Sequence, residues 1–259
     1  MKNGFAVVIL LAFVAACASG PPPLPYPAFV DVDALPNVFV AGLPGASAKQ
    51  LVADSGKRTA SFRVTVPPGW AFTTGASPGN SVEIYVLAGR LDVGEFAMTA
   101  GGYVYVPPGM PGLPISSRVG AVMLYFLGEA NEEDVIRSPL ITSSNLIDWQ
   151  AADAGTAVKE LRADPGSGAR TWLMKFTPGT IRGWQRSSQA VEGYLLDGAL
   201  TWSECIDGDA VSGEYLPGGY LNRPAGAING GPDSTTESGA TWFLRVTGRE
   251  VVETLDACL

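Results

Sequence analysis

The sequence has no histidine among its 259 residues and only three cysteines. Without imidazole there is no Ser-His-Asp arrangement and no histidine general base, and the ligand that iron, zinc and nickel prefer is missing. No cysteine spacing resembles a zinc site. Basic residues are also scarce, with 17 Lys and Arg against 25 Asp and Glu, which gives a net charge of −8. That balance argues against nucleic acid or anionic lipid as a partner.

The N-terminus carries a short apolar run, residues 4–14, which follows Lys2 and is too brief to cross a bilayer comfortably. The run ends at Val14-Ala15-Ala16-Cys17, which resembles a bacterial lipobox. By this resemblance residues 1–16 are a signal peptide and Cys17 is lipidated, so the protein is anchored in a membrane by lipid. Ala18 rather than aspartate follows, which implies an outer-membrane lipoprotein facing the periplasm. The alternative is an ordinary signal peptide with a coincidental cysteine.

A proline-rich segment comes next, within residues 17–29. Proline at this density favours an extended polyproline-like conformation, because it fixes φ and removes hydrogen-bond donors. At about 3.1 Å per residue, we expect a tether that holds the globular part roughly 30 Å from the membrane. A proline-rich ligand for a recognition domain is the alternative.

The rest of the chain has the composition of a well-buried globular protein, at 46% hydrophobic and 16% charged residues overall. Its 32 glycines and 20 prolines, with few long helical periodicities, indicate many short strands and tight turns, and therefore an all-β fold. Lipidation of Cys17 would leave Cys205 and Cys258. Two cysteines in an oxidising compartment favour a disulfide, although two buried thiols are an equal alternative.

Three blocks of sequence occur twice in the same order, which indicates a duplicated domain of roughly 110 residues. We place the first domain at residues 30–137 and the second at 138–259, with the acidic run 129–134 as a solvated linker. The matching blocks are 66–70 with 176–180, 83–89 with 192–198, and 101–109 with 218–226.

These blocks resemble the two motifs of the cupin family, and two copies resemble a bicupin, with a looser likeness to the cupin half of ChrR-type anti-sigma factors. The resemblance implies two tandem double-stranded β-helix (jelly-roll) barrels. In the family, three histidines and one glutamate in each barrel hold Fe, Mn, Zn or Ni. The Pro-x-Gly turns and the apolar strands that build such a barrel are kept here.

The family's metal ligands are not kept. In the first copy the histidine positions fall on Gly75, Ser77 and Gly112, and in the second copy on Gln185, Ser187 and Asn229. The glutamate position falls on a valine in each barrel, Val82 and Val191. We therefore expect no metal cofactor and no other cofactor.

Glu83 and Glu192 each lie one residue beyond the family's glutamate position. Because side chains alternate along a strand, Val82, Ile84, Val86 and Ala88 should line the first barrel. Glu83 should then face outward, as a surface or interdomain residue, with a relic ligand as the less favoured reading. For Glu192 the direction stays open, since a bulge at the adjacent Gly193 could turn its side chain inward.

The second barrel therefore carries the candidate ligand-binding residues Gln185, Ser187, Glu192 and Asn229, whose polar groups could hold a small polar molecule. Two further sets of residues could contribute to this site. One is aromatic and could equally be core: Trp184, Tyr194 and Trp202. The other is basic and could equally be solvated: Arg182, Arg186 and Arg223.

The sequence favours a metal-free, non-catalytic binding or interaction module over an enzyme. One alternative is a cupin-type lyase, isomerase or dioxygenase that uses oxygen ligands in the second barrel. A Glu192 side chain that points inward, within about 3 Å of Gln185 or Asn229, would favour that reading. Another alternative is a structural surface lipoprotein. A homodimer formed through exposed strand edges is a further expectation from the resemblance.

Overall fold

The computed structural model describes residues 24–40, 42–74, 79–153 and 155–259. The expected signal peptide and the lipidation site Cys17 lie outside these residues, as do Gly75 and Ser77. The described regular structure is almost entirely β-strand, as the glycine and proline content predicts, with two short 3₁₀ turns at Val32–Ala34 and Ser144–Leu146. In the part of the chain that is described, no helix is long and apolar enough to span a bilayer.

The first half of the chain contributes eleven strands, in chain order: β1 (Val30–Asp31), β2 (Asn37–Val38), β3 (Ser47–Asp54), β4 (Thr59–Val66), β5 (Trp70–Thr74), β6 (Asn80–Val93), β7 (Phe96–Thr99), β8 (Gly102–Val106), β9 (Leu113–Ser117), β10 (Ala121–Glu129) and β11 (Leu140–Ser143). The second half contributes another eleven: β12 (Gln150–Ala151), β13 (Thr156–Ala163), β14 (Arg170–Phe176), β15 (Trp184–Ser187), β16 (Val191–Gly198), β17 (Leu200–Ile206), β18 (Asp209–Tyr215), β19 (Gly219–Arg223), β20 (Ile228–Asn229), β21 (Ala240–Val246) and β22 (Val252–Leu255).

The strands form two barrels built from antiparallel sheets. In the first barrel a broad sheet has the order β11-β8-β6-β10-β4-β3-β2, and β5, β7 and β9 close its other side through β6. In the second barrel one sheet has the order β1-β19-β16-β21-β14-β13-β12 and the other β18-β17-β20-β15-β22. The expected fold, two tandem all-β barrels, is confirmed.

Two strand glycines show why the repeat keeps glycine where it has lost other motif residues. Gly89 and Gly198, one in each copy, have φ of +75° and +81°. A Cβ atom at either position would overlap the carbonyl oxygen of Gly120 or Gly239 on the neighbouring strand. Only glycine fits both the backbone conformation and the close approach.

The interior of the first barrel is an apolar core. Val82, Ile84 and Val86 all face it, as their alternation along β6 predicts, and each is fully buried. The same expectation is wrong for Ala88, which is exposed. The pairing of β6 with β10 shifts register between Val122 and Met123, and this bulge ends the regular alternation before Ala88.

The two barrels pack against each other through their larger sheets. Aromatic and aliphatic side chains from β6, β8, β10, β14, β16, β19 and β21 form one buried cluster between them. Phe126 of the first barrel stacks on Phe243 of the second, with ring centroids 5.5 Å apart. The interdomain contact is therefore a second hydrophobic core, which favours a fixed arrangement of the barrels.

The barrels exchange short edge strands, which the predicted domain boundaries do not capture. β1 lies in the first domain by sequence, but it pairs with β19 of the second barrel, with Val30 opposite Tyr220. β11 lies beyond the predicted boundary at residue 137, but it pairs with β8 of the first barrel, with Leu140 opposite Tyr105. Each barrel's sheet thus ends in a strand that the predicted boundaries assign to the other domain.

The described end of the proline-rich segment is not a free tether. The Tyr26 hydroxyl donates a 2.6 Å hydrogen bond to Glu204, and Phe29 packs on Tyr215 with ring centroids 5.2 Å apart. The expectation of an extended stalk up to residue 29 is therefore wrong for residues 24–29, which lie against the second barrel.

Candidate functional site

The second barrel contains a partly open cavity of about 290 Å³, close to the lower end of the usual range for small-molecule sites. Most of its wall is apolar. Alternation along β14 turns Trp172, Met174 and Phe176 inward, and β21 adds Trp242. Trp202 of β17 completes an aromatic lining.

Gln185 and Asn229, two of the predicted site residues, come together at this cavity. They lie opposite each other in the pairing of β15 with β20. Their side chains bond mainly to the protein itself: the Gln185 amide lies 3.5 Å from Asn229 Oδ1, which also accepts from the Trp202 indole at 3.3 Å. Arg182 donates to Gln185 Oε1 at 3.0 Å, and Asn229 Nδ2 donates to the Gln185 carbonyl at 3.2 Å. The amides form an internal network and do not require a ligand as a partner.

Ser187 also lies at the cavity, where it is buried. Its hydroxyl oxygen accepts a hydrogen bond from the backbone N–H of Gln189 at 3.1 Å. This bond fixes the turn after β15, which is a structural role.

The indole N–H of Trp172 is different, because it has no hydrogen-bond partner although the side chain is only 3% exposed. An unpaired buried donor is costly, and native structures seldom leave one without water or a ligand. Sequence reasoning did not select Trp172. The signal available was its place on the inward face of an alternating strand, which is equally typical of a core residue.

A buried ion pair closes one part of the cavity wall. Arg223 of β19 and Glu204 of β17 join through guanidinium–carboxylate contacts of 2.6 and 3.0 Å, and both are almost fully buried. Burial would lower the pKa of Arg223, but the Glu204 carboxylate outweighs it and the pKa is raised. Burial and the bond to Glu204 likewise raise the pKa of Tyr26. Arg223 is therefore not solvated, and Glu204 was missed because nothing local distinguishes it on its strand.

Glu192 does not join the other candidate residues. Pairing of β16 with β21 is regular from Glu192 to Leu195, so Gly193 makes no bulge, and the shift comes only after Leu195. Val191 therefore faces the cavity, and Glu192 faces the first barrel. The Glu192 carboxylate accepts a 2.6 Å hydrogen bond from the hydroxyl of Tyr220, which belongs to its own barrel. Glu192 therefore does not line this cavity together with Gln185, Ser187 and Asn229.

Glu83 occupies the equivalent place in the first barrel. It is 2% exposed and lies between the barrels, where the hydroxyls of Tyr103 and Thr171 both donate to its Oε1. The interdomain reading of Glu83 is therefore confirmed. The remaining described position of the first barrel's lost motif, Gly112, is exposed and offers no side chain.

Some of the remaining aromatic and basic candidate residues line the cavity, and the others lie elsewhere. Of the aromatic set, Trp202 lines the cavity, Tyr194 belongs to the interdomain cluster, and Trp184 is buried apart from both. Arg182 lines the cavity and pairs with Asp153, whereas Arg186 is half exposed and pairs with Glu253.

The side chains at the family's metal position do not fit a transition metal. Gln185, Ser187 and Asn229 replace three imidazoles, and the structure commits their polar atoms to bonds within the protein. Val191 replaces the carboxylate. Among the residues that the structure describes, no three His, Cys, Asp or Glu side chains are grouped to hold a metal ion.

Cys205 and Cys258 are joined in a disulfide, with Cα atoms 5.5 Å apart. Cys205 lies on β17, which also carries Trp202 and Glu204. The bridge thus ties the C-terminal residues to a strand of the cavity wall.

Comparisons with known proteins agree with this architecture. The profile of DUF4437, described as a domain of unknown function, matches residues 130–252. No curated protein matches the chain significantly. Among solved structures, the chain is similar to a putative dioxygenase from Nostoc punctiforme, at 20% identity and a TM-score of 0.69 over 87% of this chain and 85% of that one.

Two further similar structures belong to proteins with different roles. A deletion mutant of Bacillus subtilis oxalate decarboxylase has 13% identity and a TM-score of 0.63, over 87% of this chain and 78% of that one. The 7S globulin of Momordica charantia has 10% identity and a TM-score of 0.61, over 87% and 86%. Likeness at these identities shows the fold alone, and enzymes and storage globulins share it. The chain therefore has a bicupin-like fold.

Proposed function

We propose that this protein is a non-catalytic binding module that holds a small molecule inside its second barrel. The observation that carries the proposal is the aromatic cavity of about 290 Å³, whose wall includes Trp172, a residue with a buried and unpaired indole N–H. A ligand whose hydrogen-bond acceptor reached this nitrogen would satisfy the donor, and the ligand's apolar part would lie against the aromatic wall.

The cavity suits an apolar ligand better than the polar one that the sequence suggested. Gln185 and Asn229 were expected to hydrogen-bond the ligand, but their side chains form hydrogen bonds with each other, with Trp202 and with Arg182. Their role in the proposal is to keep the wall rigid, since a ligand that bonded to them would have to break bonds already made.

Two observations support a binding module over a cupin-type enzyme. Glu192, the carboxylate that would act as a base or a ligand, points toward the other barrel and is held there by Tyr220 and Arg245. Glu204, a buried carboxylate of the second barrel, is committed to Arg223 and Tyr26. Neither carboxylate is positioned to take a proton from a molecule in the cavity.

The proposal includes a location. A signal peptide with Cys17 as the lipidated residue would place the module on the periplasmic face of the outer membrane. The disulfide of Cys205 with Cys258 suits that oxidising compartment. Labelling with radioactive palmitate, with Cys17→Ser as control, tests the anchor, and equal labelling of the two proteins would contradict it.

A thermal-shift screen of small aromatic and aliphatic compounds tests the binding function. Trp172→Phe keeps an aromatic ring, although a smaller one, and removes the N–H, so it should weaken any hit by about 1–3 kcal/mol. The matched control is Trp70→Phe in the first barrel, where the indole already donates to the Pro44 carbonyl at 2.8 Å. That variant should bind as the wild type does. No hit in a broad screen, or equal loss in both variants, would contradict the proposal.

A further inference from the structure

Every arginine at the cavity of the second barrel is already paired with a carboxylate of the chain. Three arginines line it, and the closest nitrogen–oxygen distances are 2.8 Å for Arg170 with Glu160, 3.1 Å for Arg182 with Asp153 and 2.6 Å for Arg223 with Glu204. A ligand's own carboxylate would therefore have to compete with a partner already in place.

The pair of Arg223 with Glu204 is the one that an anionic ligand would find hardest to open. Two guanidinium nitrogens, Nε and Nη2, contact the carboxylate, and the side chains are 7% and 2% exposed. The Tyr26 hydroxyl donates to Oε2 of the same carboxylate, which Arg223 Nε also contacts. Displacing Glu204 would leave a buried, uncompensated charge, which is strongly unfavourable.

The charge at the cavity also opposes an anion. The three arginines and their three carboxylates balance, and Glu250 adds one more acidic group to the wall. The local formal charge is thus negative by one.

A cation has little to gain from the aromatic wall, because guanidinium groups of the chain already lie over two of its rings. Arg170 lies 4.4 Å from the ring centroid of Trp172, and Arg223 lies 5.8 Å from that of Trp202. Cation–π attraction for a ligand would require these groups to move.

We propose that the cavity selects uncharged, largely aromatic molecules with a single acceptor, and that Glu204 is the residue that sets this selectivity by neutralising Arg223 from within. This inference rests on the proposed function, since it names the ligand class of the same cavity. Tyr26 is a positioning residue, because it acts on the ligand only through Glu204.

Three probes that share one ring system test the inference: 2-naphthamide, 2-naphthoate and 2-naphthylmethylammonium, titrated into full-length protein and followed by tryptophan fluorescence. Wild-type protein should bind the neutral amide at least about tenfold more tightly than either ion. Glu204→Gln frees Arg223 to bind an acid, so the preference of amide over carboxylate should fall at least about tenfold. Tyr26→Phe should shift it in the same direction by a smaller factor.

The control is Glu253→Gln, which removes the carboxylate paired with Arg186, an exposed arginine that does not line the cavity, and it should leave the preference nearly unchanged. If Glu204→Gln does not fold, Glu204→Asp, which keeps the charge but shortens its reach, should show part of the same effect. Wild-type protein that binds the naphthoate or the ammonium as tightly as the amide would overturn the inference and leave the binding function standing. If none of the three probes binds and the broad screen also fails, the binding function itself is contradicted.

Discussion

Arg245 of the second barrel reaches Glu83 of the first, with 3.2 Å between Nε and Oε2. The same guanidinium contacts Glu192 of its own barrel, with 2.9 Å between Nη1 and Oε2. The two glutamates are equivalent in the repeat, since Glu83 pairs with Phe126 on β10 and Glu192 pairs with Arg245 on β21. Arg245, whose equivalent in the first barrel is Phe126, thus forms an ion pair with both carboxylates.

We predict that Arg245→Met destabilises the protein by about 3–5 kcal/mol, because it leaves two carboxylates buried between the barrels without their shared cation. Urea unfolding at pH 7 measures this change. Arg186→Met is the matched control, since its pair with Glu253 is about half exposed and should cost less than about 1 kcal/mol. A similar small cost for both variants would contradict the assigned role of Arg245.

We predict that stability falls in acid partly through Glu83. Burial raises the pKa of this carboxyl, but Arg245 and Arg162 outweigh burial and hold the pKa below its ordinary value of 4.5. A depressed folded pKa means that the contribution to stability is fully present above pH 4.5 and is lost as the pH falls through the lower, folded value.

Unfolding free energies measured from pH 7 down to pH 3 test this prediction. Glu83→Gln should be less stable than wild type at pH 7 and should lose less stability in acid, so the two curves converge. Curves that stay parallel through this range would show that another group causes the acid loss.

The sequence was sufficient for the fold but only for part of the site. The repeated glycines Gly89 and Gly198, and the apolar alternation of Val82, Ile84 and Val86, are local signals, and the structure follows them. Gln185 and Asn229 were placed at one site because the repeat carries the family's spacing. Their bonds to each other depend on strand register, which spacing alone does not determine.

The remaining features depend on contacts between distant parts of the chain. Tyr26 and Glu204 are 178 residues apart, and nothing near either residue indicates the other. The direction of Glu192 depended on whether Gly193 formed a bulge. Leu244 and Leu221 already fill the space where a side chain at position 193 would lie. This close packing explains why residue 193 is a glycine although it forms no bulge.

We predict that Cys205 and Cys258 resist alkylation unless the protein is first reduced, because they form a disulfide. Intact mass after iodoacetamide treatment measures this directly, and modification of both without reductant would refute the bridge. The double variant Cys205→Ser/Cys258→Ser should lose stability, by roughly 4 kcal/mol as an upper figure for a loop of this length.

We predict that Asn229→Ala costs about 1–3 kcal/mol of stability, because it leaves the Trp202 indole and the Gln185 amide without a partner at the cavity. Thermal or urea unfolding measures the loss. Gln189→Ala, which removes a partly exposed side chain whose amide donates to the Arg249 carbonyl near solvent, should cost much less. An equal loss in the two variants would mean that the amide network adds nothing to the stability of the cavity wall.

We predict that purified protein carries no stoichiometric iron, zinc or nickel, because the chain has no histidine and the polar groups at the family's metal position bond to one another. Elemental analysis after dialysis without chelator measures the content. One equivalent of any of these metals would overturn the prediction.

The exchanged edge strands have a consequence for how the protein is made. β1 pairs with β19, so residues 30–31 cannot dock until residues 219–223, which are synthesised much later, have left the ribosome. Until then Phe29 lacks Tyr215, and Tyr26 lacks Glu204. Residues 26–31 therefore stay undocked through the synthesis of most of the chain. This N-terminal segment therefore docks late, after the cavity wall against which it packs has formed.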